Sequence, residues 1–367
     1  MADEGMPVRC PAIGDPDRGL ASPGDFDGIL GRLASPEPVT AAQQFARGVV
    51  RPDGRVDLCK QGIGPVQVAR VMAAAVGSPH AVHLLLGTNG LGAEGARRVA
   101  DALTSGHRIQ TVYLGCNRID AQGAAALAER IAVDDGVKAL WLKRNPIGDD
   151  GVARLCAALA TNSALRTLDL VNTGLTTRGL ETLADALSAR APGMERVFLG
   201  GNGFGPDAVP ALARIVRDGG VREVYLAVNH LGDDGSAALA EAVAAYPMTL
   251  GLGGNGIRDV SALAGNLRHW VALDLARPPS ERALGGQSNV VGDMGAALLA
   301  AALPGSALRR LDVRFTGITG RGARLLLDSD LDHLGINGGV PRRMRRLAPR
   351  SEAAPHEDIR AIASVYR

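Results

Sequence analysis

Along most of this chain, short runs of alternating apolar and polar residues end in an asparagine. Val137-Lys138-Ala139-Leu140-Trp141-Leu142-Lys143-Arg144-Asn145-Pro146-Ile147 is one such run. In an extended strand Leu140 and Leu142 fall on one side, and Trp141 and Lys143 on the other. Each run is followed by an apolar stripe at helical spacing. In Gly123–Ile131 that stripe is Ala124, Leu127, Ala128 and Ile131. The second strand leucine recurs as Leu58, Leu86, Leu114, Leu142, Leu170, Leu199, Leu226, Leu252, Leu275, Val313 and Ile336, with successive spacings of 28, 28, 28, 28, 29, 27, 26, 23, 38 and 23. So regular a period is the mark of stacked repeats, each one strand and one helix.

The frame of each unit is L-x-x-L-x-L-x-x-N-x-L. Strand leucines and the apolar helix face bury on a shared core, and no single unit can do this alone. Asn89, Asn117, Asn145, Asn202, Asn229 and Asn255 are placed to satisfy backbone groups that the bend after each strand leaves unpaired. Parallel strands then stack about 4.8 Å apart, and the wider helices force the stack to curve. Over roughly residues 50–340 the sequence resembles leucine-rich repeat proteins of the ribonuclease-inhibitor-like class, and its Ala-, Gly- and Arg-rich composition suits a bacterial protein. The resemblance implies an α/β solenoid of about eleven units, a horseshoe with a parallel concave sheet and outer helices. It also implies a binding surface, since most members of the class bind other proteins. The cysteine-rich repeats of the nuclease inhibitors are missing.

Outside the repeats, residues 1–38, rich in Pro, Gly and Asp, read as a flexible arm. Residues 39–55 read as an N-terminal cap, with a short helix from Val39 to Val50 (Phe45 and Val49 at i, i+4) and a turn at Arg51-Pro52-Asp53-Gly54. The repeat domain spans 56–340. Residues 341–367 hold a basic segment with five arginines, then a C-terminal capping helix from Pro355 to Tyr366. An insertion between Leu275 and Asn289 is expected on one rim of the stack.

Composition narrows the chemistry. Forty Lys and Arg against thirty-eight Asp and Glu give a net charge of +2, so no global field steers the chain to nucleic acid or membrane. Four cysteines without C-x-x-C spacing and seven scattered histidines argue for no metal, no cofactor and a reducing compartment. The N-terminus shows no signal peptide, and no apolar run reaches the roughly twenty residues of a membrane span; a cytoplasmic protein is expected. Gly90-Leu91-Gly92-Ala93-Glu94-Gly95 fits a dinucleotide fingerprint, yet its glycines fall at ordinary repeat positions.

What varies inside the frame carries the functional expectation. Four of the eleven aromatics, Tyr113, Trp141, Phe198 and Tyr225, occupy one concave row, beside Gly87, Gly115, Gly200, Ala227 and Gly253, which leave room for a groove. Lys143, Arg144 and Asp169 give that row polarity, and Asn172 with Lys143 and Arg144 forms a possible phosphate or carboxylate site. Such an aromatic strip suits a protein or peptide partner; intermixed aspartates disfavour nucleic acid. Substituting both Trp141 and Tyr225 by Ala is expected to abolish binding and spare the fold. Asp274 and Asp312 can lie side by side as a carboxylate pair. An alternative is an enzyme built on the scaffold, peptide-modifying or biosynthetic, using Cys59, Lys60, Asp57, Lys143 and Asp169 with the 276–289 loop as lid. His83 lies too far along its strand, about 13 Å, to serve as the base for Cys59.

Overall fold

The computed structural model describes residues 5–10, 19–190, 193–350 and 355–365. The chain divides into two compact units, residues 7–194 with 354–367 (the N-terminal unit), and residues 195–353 with 1–6 (the C-terminal unit). In the N-terminal unit α1 (Asp27–Ala34) precedes a hairpin of β1 (Gln43–Gln44) and β2 (Val49–Val50). Then strands β3 (Arg55–Asp57), β4 (His83–Leu85), β5 (Thr111–Tyr113), β6 (Ala139–Trp141) and β7 (Thr167–Asp169) alternate with helices α2 (Gly64–Val76), α3 (Gly92–Ala102), α4 (Ala121–Ile131), α5 (Gly148–Leu159) and α6 (Thr177–Ser188).

The C-terminal unit repeats the scheme. Its strands are β8 (Arg196–Phe198), β9 (Glu223–Tyr225), β10 (Thr249–Gly251), β11 (Ala272–Asp274), β12 (Arg310–Asp312) and β13 (His333–Gly335). Between them run α7 (Val209–Arg217), α8 (Gly232–Ala242), α9 (Ser261–Gly265), α10 (Glu281–Leu284), α11 (Gly292–Ala302) and α12 (Gly320–Leu327), and α13 (Arg342–Leu347) follows. The last helix, α14 (Glu357–Ala361), belongs to the N-terminal unit. Within each unit the parallel strands follow chain order, as a leucine-rich repeat solenoid requires.

Register carries the sequence period into the core. Val56, Leu84, Val112, Leu140 and Leu168 stand side by side on β3 to β7. Behind them Leu58, Leu86, Leu114, Leu142 and Leu170 form a second buried row. Each fully buried leucine contributes about 1.5–3 kcal/mol, so alternation alone selects the buried face. The asparagines close the turns as expected. Asn145 Nδ2 donates to the carbonyls of Leu114 (3.0 Å) and Leu142 (2.8 Å), and its Oδ1 accepts from the backbone N–H of Asn117 (2.8 Å) and Ile119 (3.1 Å). In the C-terminal unit Asn229, Asn255 and Asn289 make the same kind of bonds. Thus the insertion after Leu275 folds into α10 and returns the chain to the ladder at Asn289; within its own unit it packs on Val228, Gly254 and Gly256.

The glycines of the apparent dinucleotide fingerprint have a structural use. Gly92 has φ +59° and donates its N–H to the Asn117 carbonyl (2.8 Å), and Gly148 (φ +60°) donates likewise to Thr173 (2.9 Å). A side chain at this left-handed corner is strained, so glycine recurs there for the turn.

Three expectations at the ends are corrected. Residues 39–50 form the β1–β2 hairpin instead of a helix, because β2 pairs antiparallel with β3 (Val49↔Asp57, Val50↔Val56) and covers the open sheet edge. A helix could not supply those ladder bonds. The arm is also ordered in its described parts: Phe26, Ile29 and Leu33 are buried, holding α1 against α2; residues 1–4 and 11–18 lie outside the described residues. The expected C-terminal cap is displaced as well. Residues 341–349 close the C-terminal unit, with Met344 buried beside Gly320 and the Pro349 carbonyl accepting from the Leu334 N–H (2.9 Å). The helix placed at 355–366 is only α14, and it docks on the N-terminal unit; Tyr366 lies outside the described residues.

One buried polar group makes a stability prediction. Asp134 accepts from His107 Nε2 (2.7 Å) and from the N–H groups of Gly136 (2.9 Å) and Val137 (2.7 Å), while His107 Nδ1 accepts from Ile109 N–H (3.1 Å). Burial raises the Asp134 pKa, but the His107 bond and the two backbone donors more than offset it, and the net value lies below the usual carboxylate range. A depressed folded pKa adds stability above the unfolded pKa, roughly 3.9, and loses it as pH falls through the folded value. Asp134→Ala, which leaves several buried donors unmet, is expected to cost about 3 kcal/mol at pH 7 and to flatten the loss of stability below pH 4. Urea titrations at pH 7 and pH 3 check both.

Candidate functional site

In the N-terminal unit Asp57, Leu85, Tyr113, Trp141 and Asp169 line up on the face away from the helices. The expected open aromatic floor is not there. Trp141 and Asp169 are 0% exposed and Tyr113 is 2% exposed. One reason is local. A Cβ at Gly87 would sit 2.4 Å from Tyr113 Cε1, and one at Gly115 2.6 Å from its hydroxyl. The tyrosine ring fills the space these glycines leave, so they make room for Tyr113 and not for a ligand. Lys143 Nζ stands 5.7 Å from that ring's centre. Burial lowers the lysine pKa, and the charge of Asp169 partly offsets this.

The second reason is the C-terminal segment. Arg166 pairs with both carboxylates that open α14. Its Nε meets Asp358 Oδ2 at 3.1 Å, its Nη2 meets Asp358 Oδ1 at 3.0 Å, and it also bonds Glu357. Thr167 Oγ1 donates to Asp358 (2.7 Å), and at the other end Ser364 Oγ donates to Asp57 Oδ2 (2.9 Å). The segment therefore crosses from β7 to β3, with Ile362 buried beneath it. Sequence reasoning missed Arg166 and Ser364, and placed Thr167 on this face without giving it a role. The only local signal was the adjacent acid pair Glu357-Asp358 heading a short amphipathic stretch.

The remaining candidates lie at the strand ends. Lys60, Arg144 and Asn172 share a left-handed turn position (φ 60°, 56° and 50°). Asn172 is taken up by the arm: its Oδ1 accepts from Arg9 N–H (2.9 Å) and its Nδ2 donates to the Pro7 carbonyl (3.2 Å). The expected phosphate or carboxylate site with Lys143 and Arg144 thus finds its amide already bonded to the chain. Cys59 is a poor nucleophile, because burial and the neighbouring Asp57 push its thiol well above the ordinary range. Among the described residues no cluster of three His, Cys, Asp or Glu could hold a metal.

The C-terminal unit keeps an accessible face. Phe198 and Tyr225 are half-buried and stacked, ring centres 4.3 Å apart with planes 5° from parallel. Tyr225 donates to Glu223 Oε2 (3.0 Å), and Glu223 also pairs with Arg196 (2.9 Å through Oε1). The Tyr225 ring leans over Gly251, where a Cβ would meet it at 3.0 Å. Beyond lie Asp274 and Asp312, directly paired across β11 and β12. Arg314 neutralises Asp312 (2.6 Å), but among the described residues Asp274 has no salt-bridge partner. Asp274 is exposed as a residue, and desolvation of its carboxylate by the surrounding protein, together with the charge of Asp312, pushes its pKa up to about 6. A hollow of about 820 Å³ lies on the helical side, lined by Ala297, Ala301, Leu303 and Leu325, and contributes nothing to this face.

Comparison with known proteins agrees with the fold. The Leucine Rich repeat model matches residues 161–184 and 307–327. Among solved structures the chain is similar to the leiomodin-1 actin-binding site 2 (18% identity, 45% of this chain and 88% of that one, TM-score 0.36). It is also similar to a chain of the yeast Rad7–Elc1 complex (12% identity, 79% of this chain and 76% of that one, TM-score 0.43). No curated protein matches the chain in sequence. Among the described residues no helix is long and apolar enough to cross a membrane.

Proposed function

We propose that this leucine-rich repeat chain is a binding scaffold that holds a protein or peptide segment on the sheet face away from its helices. In the C-terminal unit the segment docks on Phe198, Tyr225 and Asp274. The observation that carries the reading is Asp274, a carboxylate with a raised pKa and, among the described residues, no salt-bridge partner, set beside a half-buried aromatic stack. Perturbed titratable groups cluster at functional sites. An arginine or lysine side chain placed between the ring and the carboxylate would supply the missing charge and gain a cation–π contact.

The test uses fluorescein-labelled octapeptides with a single central arginine in a neutral background, and a norleucine control. At pH 7.5 the arginine peptide is expected to bind and the control not. Binding should weaken as pH falls through about 6, because Asp274 takes up a proton; Asp312, Arg310 and Arg314 face the same spot from β12 and its end. Tyr225→Ala and Asp274→Asn should each remove most of the binding. Equal binding of both peptides, or an unaffected Asp274→Asn variant, would sink the proposal. Removing the uncompensated charge should also make Asp274→Asn more stable than the parent at pH 7.5 and equal to it at pH 4.

A further inference from the structure

Residues 355–365 are attached to their unit through side chains. Every backbone–backbone hydrogen bond of the described segment is internal to it, from Ile359 N–H to the His356 carbonyl through Val365 N–H to Ile362. It adds no strand to the sheet. Among the described residues it is held by side chains: the Glu357–Asp358 carboxylates on Arg166 and Thr167, Ser364 on Asp57, and the buried Ala361 and Ile362. That is how a short helical peptide sits in a groove, with a charged anchor at one end and apolar side chains inward.

The anchor is also desolvated. The Asp358 side chain is only 3% exposed and that of Arg166 25%, and the fork-like pairing of guanidinium and carboxylate is the geometry of specific recognition. His83, one of the residues on the same face, lies close enough for its charge state to feel both Asp358 and Glu357. The receptor face is complete without the segment, since Arg166, Thr167, Asp57, Thr111 and Trp141 are positioned by β3 to β7 and their helices.

We propose that the face of β3–β7 is a recognition site for a short helical peptide that opens with two adjacent carboxylates, and that residues 357–364 occupy this site in cis. The inference rests on the reading of the strand face as a peptide surface and adds the partner's chemistry and its regulation. Tethering gives the chain's own segment a millimolar effective concentration. A partner in trans must therefore either bind more tightly or find the segment released. The acidic pair is the selective element: a basic or neutral helix would leave Arg166 without its carboxylate partners.

A labelled peptide with the sequence of residues 355–367 tests this by fluorescence anisotropy against the full chain. Asp358→Ala releases the tethered copy, and a chain ending at Arg350 removes it. Both are expected to bind the peptide at least about 30-fold more tightly than the parent does. Arg166→Ala placed in either background should lose at least about 30-fold, and so should a peptide carrying Asn at the Asp358 position. If neither released chain binds the peptide while both unfold cooperatively, the proposal is overturned. It is equally overturned if Arg166→Ala binds as well as its background. A concentration-dependent dimer of the parent that disappears in Asp358→Ala would place a second copy's tail in the groove and rule out a separate partner. Titrating the arginine octapeptide into the same samples reads the Tyr225–Asp274 surface, so a failure here is distinguished from a failure of the scaffold reading.

Discussion

Asn145→Ala is expected to lower the free energy of unfolding by about 4–6 kcal/mol. The asparagine is fully buried and satisfies four backbone groups at once, two carbonyls through Nδ2 and two N–H groups through Oδ1. Removing it leaves all four without partners, and each unsatisfied buried group costs about 1–3 kcal/mol. Even with partial entry of water, the sum is a large part of the roughly 5–15 kcal/mol that stabilises a typical domain. Urea unfolding followed by circular dichroism measures it, with Arg154→Ala, an exposed helical position, as a control expected within about 0.5 kcal/mol of the parent. A loss of less than 1 kcal/mol for Asn145→Ala would mean that the turns hold without the ladder.

Trp141→Ala is the second large effect, and here the structure reverses the expectation from sequence. A tryptophan on the open row of a repeat sheet should leave the fold intact when truncated. Trp141 is instead 0% exposed, and removing so large a buried side chain typically costs 3–5 kcal/mol. Tyr225, half-buried on the accessible face of the other unit, should lose binding with little loss of stability. Thermal unfolding of the two single variants separates them. Equal midpoints would contradict the burial difference, whereas a Trp141→Ala midpoint several degrees below that of Tyr225→Ala supports it.

The difference between these two aromatics shows where sequence reasoning stopped. Both occupy the same position of the repeat, and nothing in either single repeat distinguishes them. What differs is a segment some two hundred residues away in sequence, anchored through Asp358 on Arg166. Likewise Phe45 and Val49 mimic a helix by spacing, yet Val49 and Val50 form a strand because β3 needs an edge partner. Asn172 looked like a ligand site and holds Pro7 and Arg9.

The sequence by itself determined the solenoid. Alternating Leu140 and Leu142, the apolar stripe of Gly123–Ile131 and the recurrent asparagine are local patterns of period two, 3.6 and about 28, and each states its own geometry because the groups it satisfies lie one turn or one unit away. Only the tertiary structure decided which part of the strand face is open. That depends on two terminal segments whose contacts are few, side-chain mediated and distant in sequence, and such contacts leave no periodic trace in the chain that makes them.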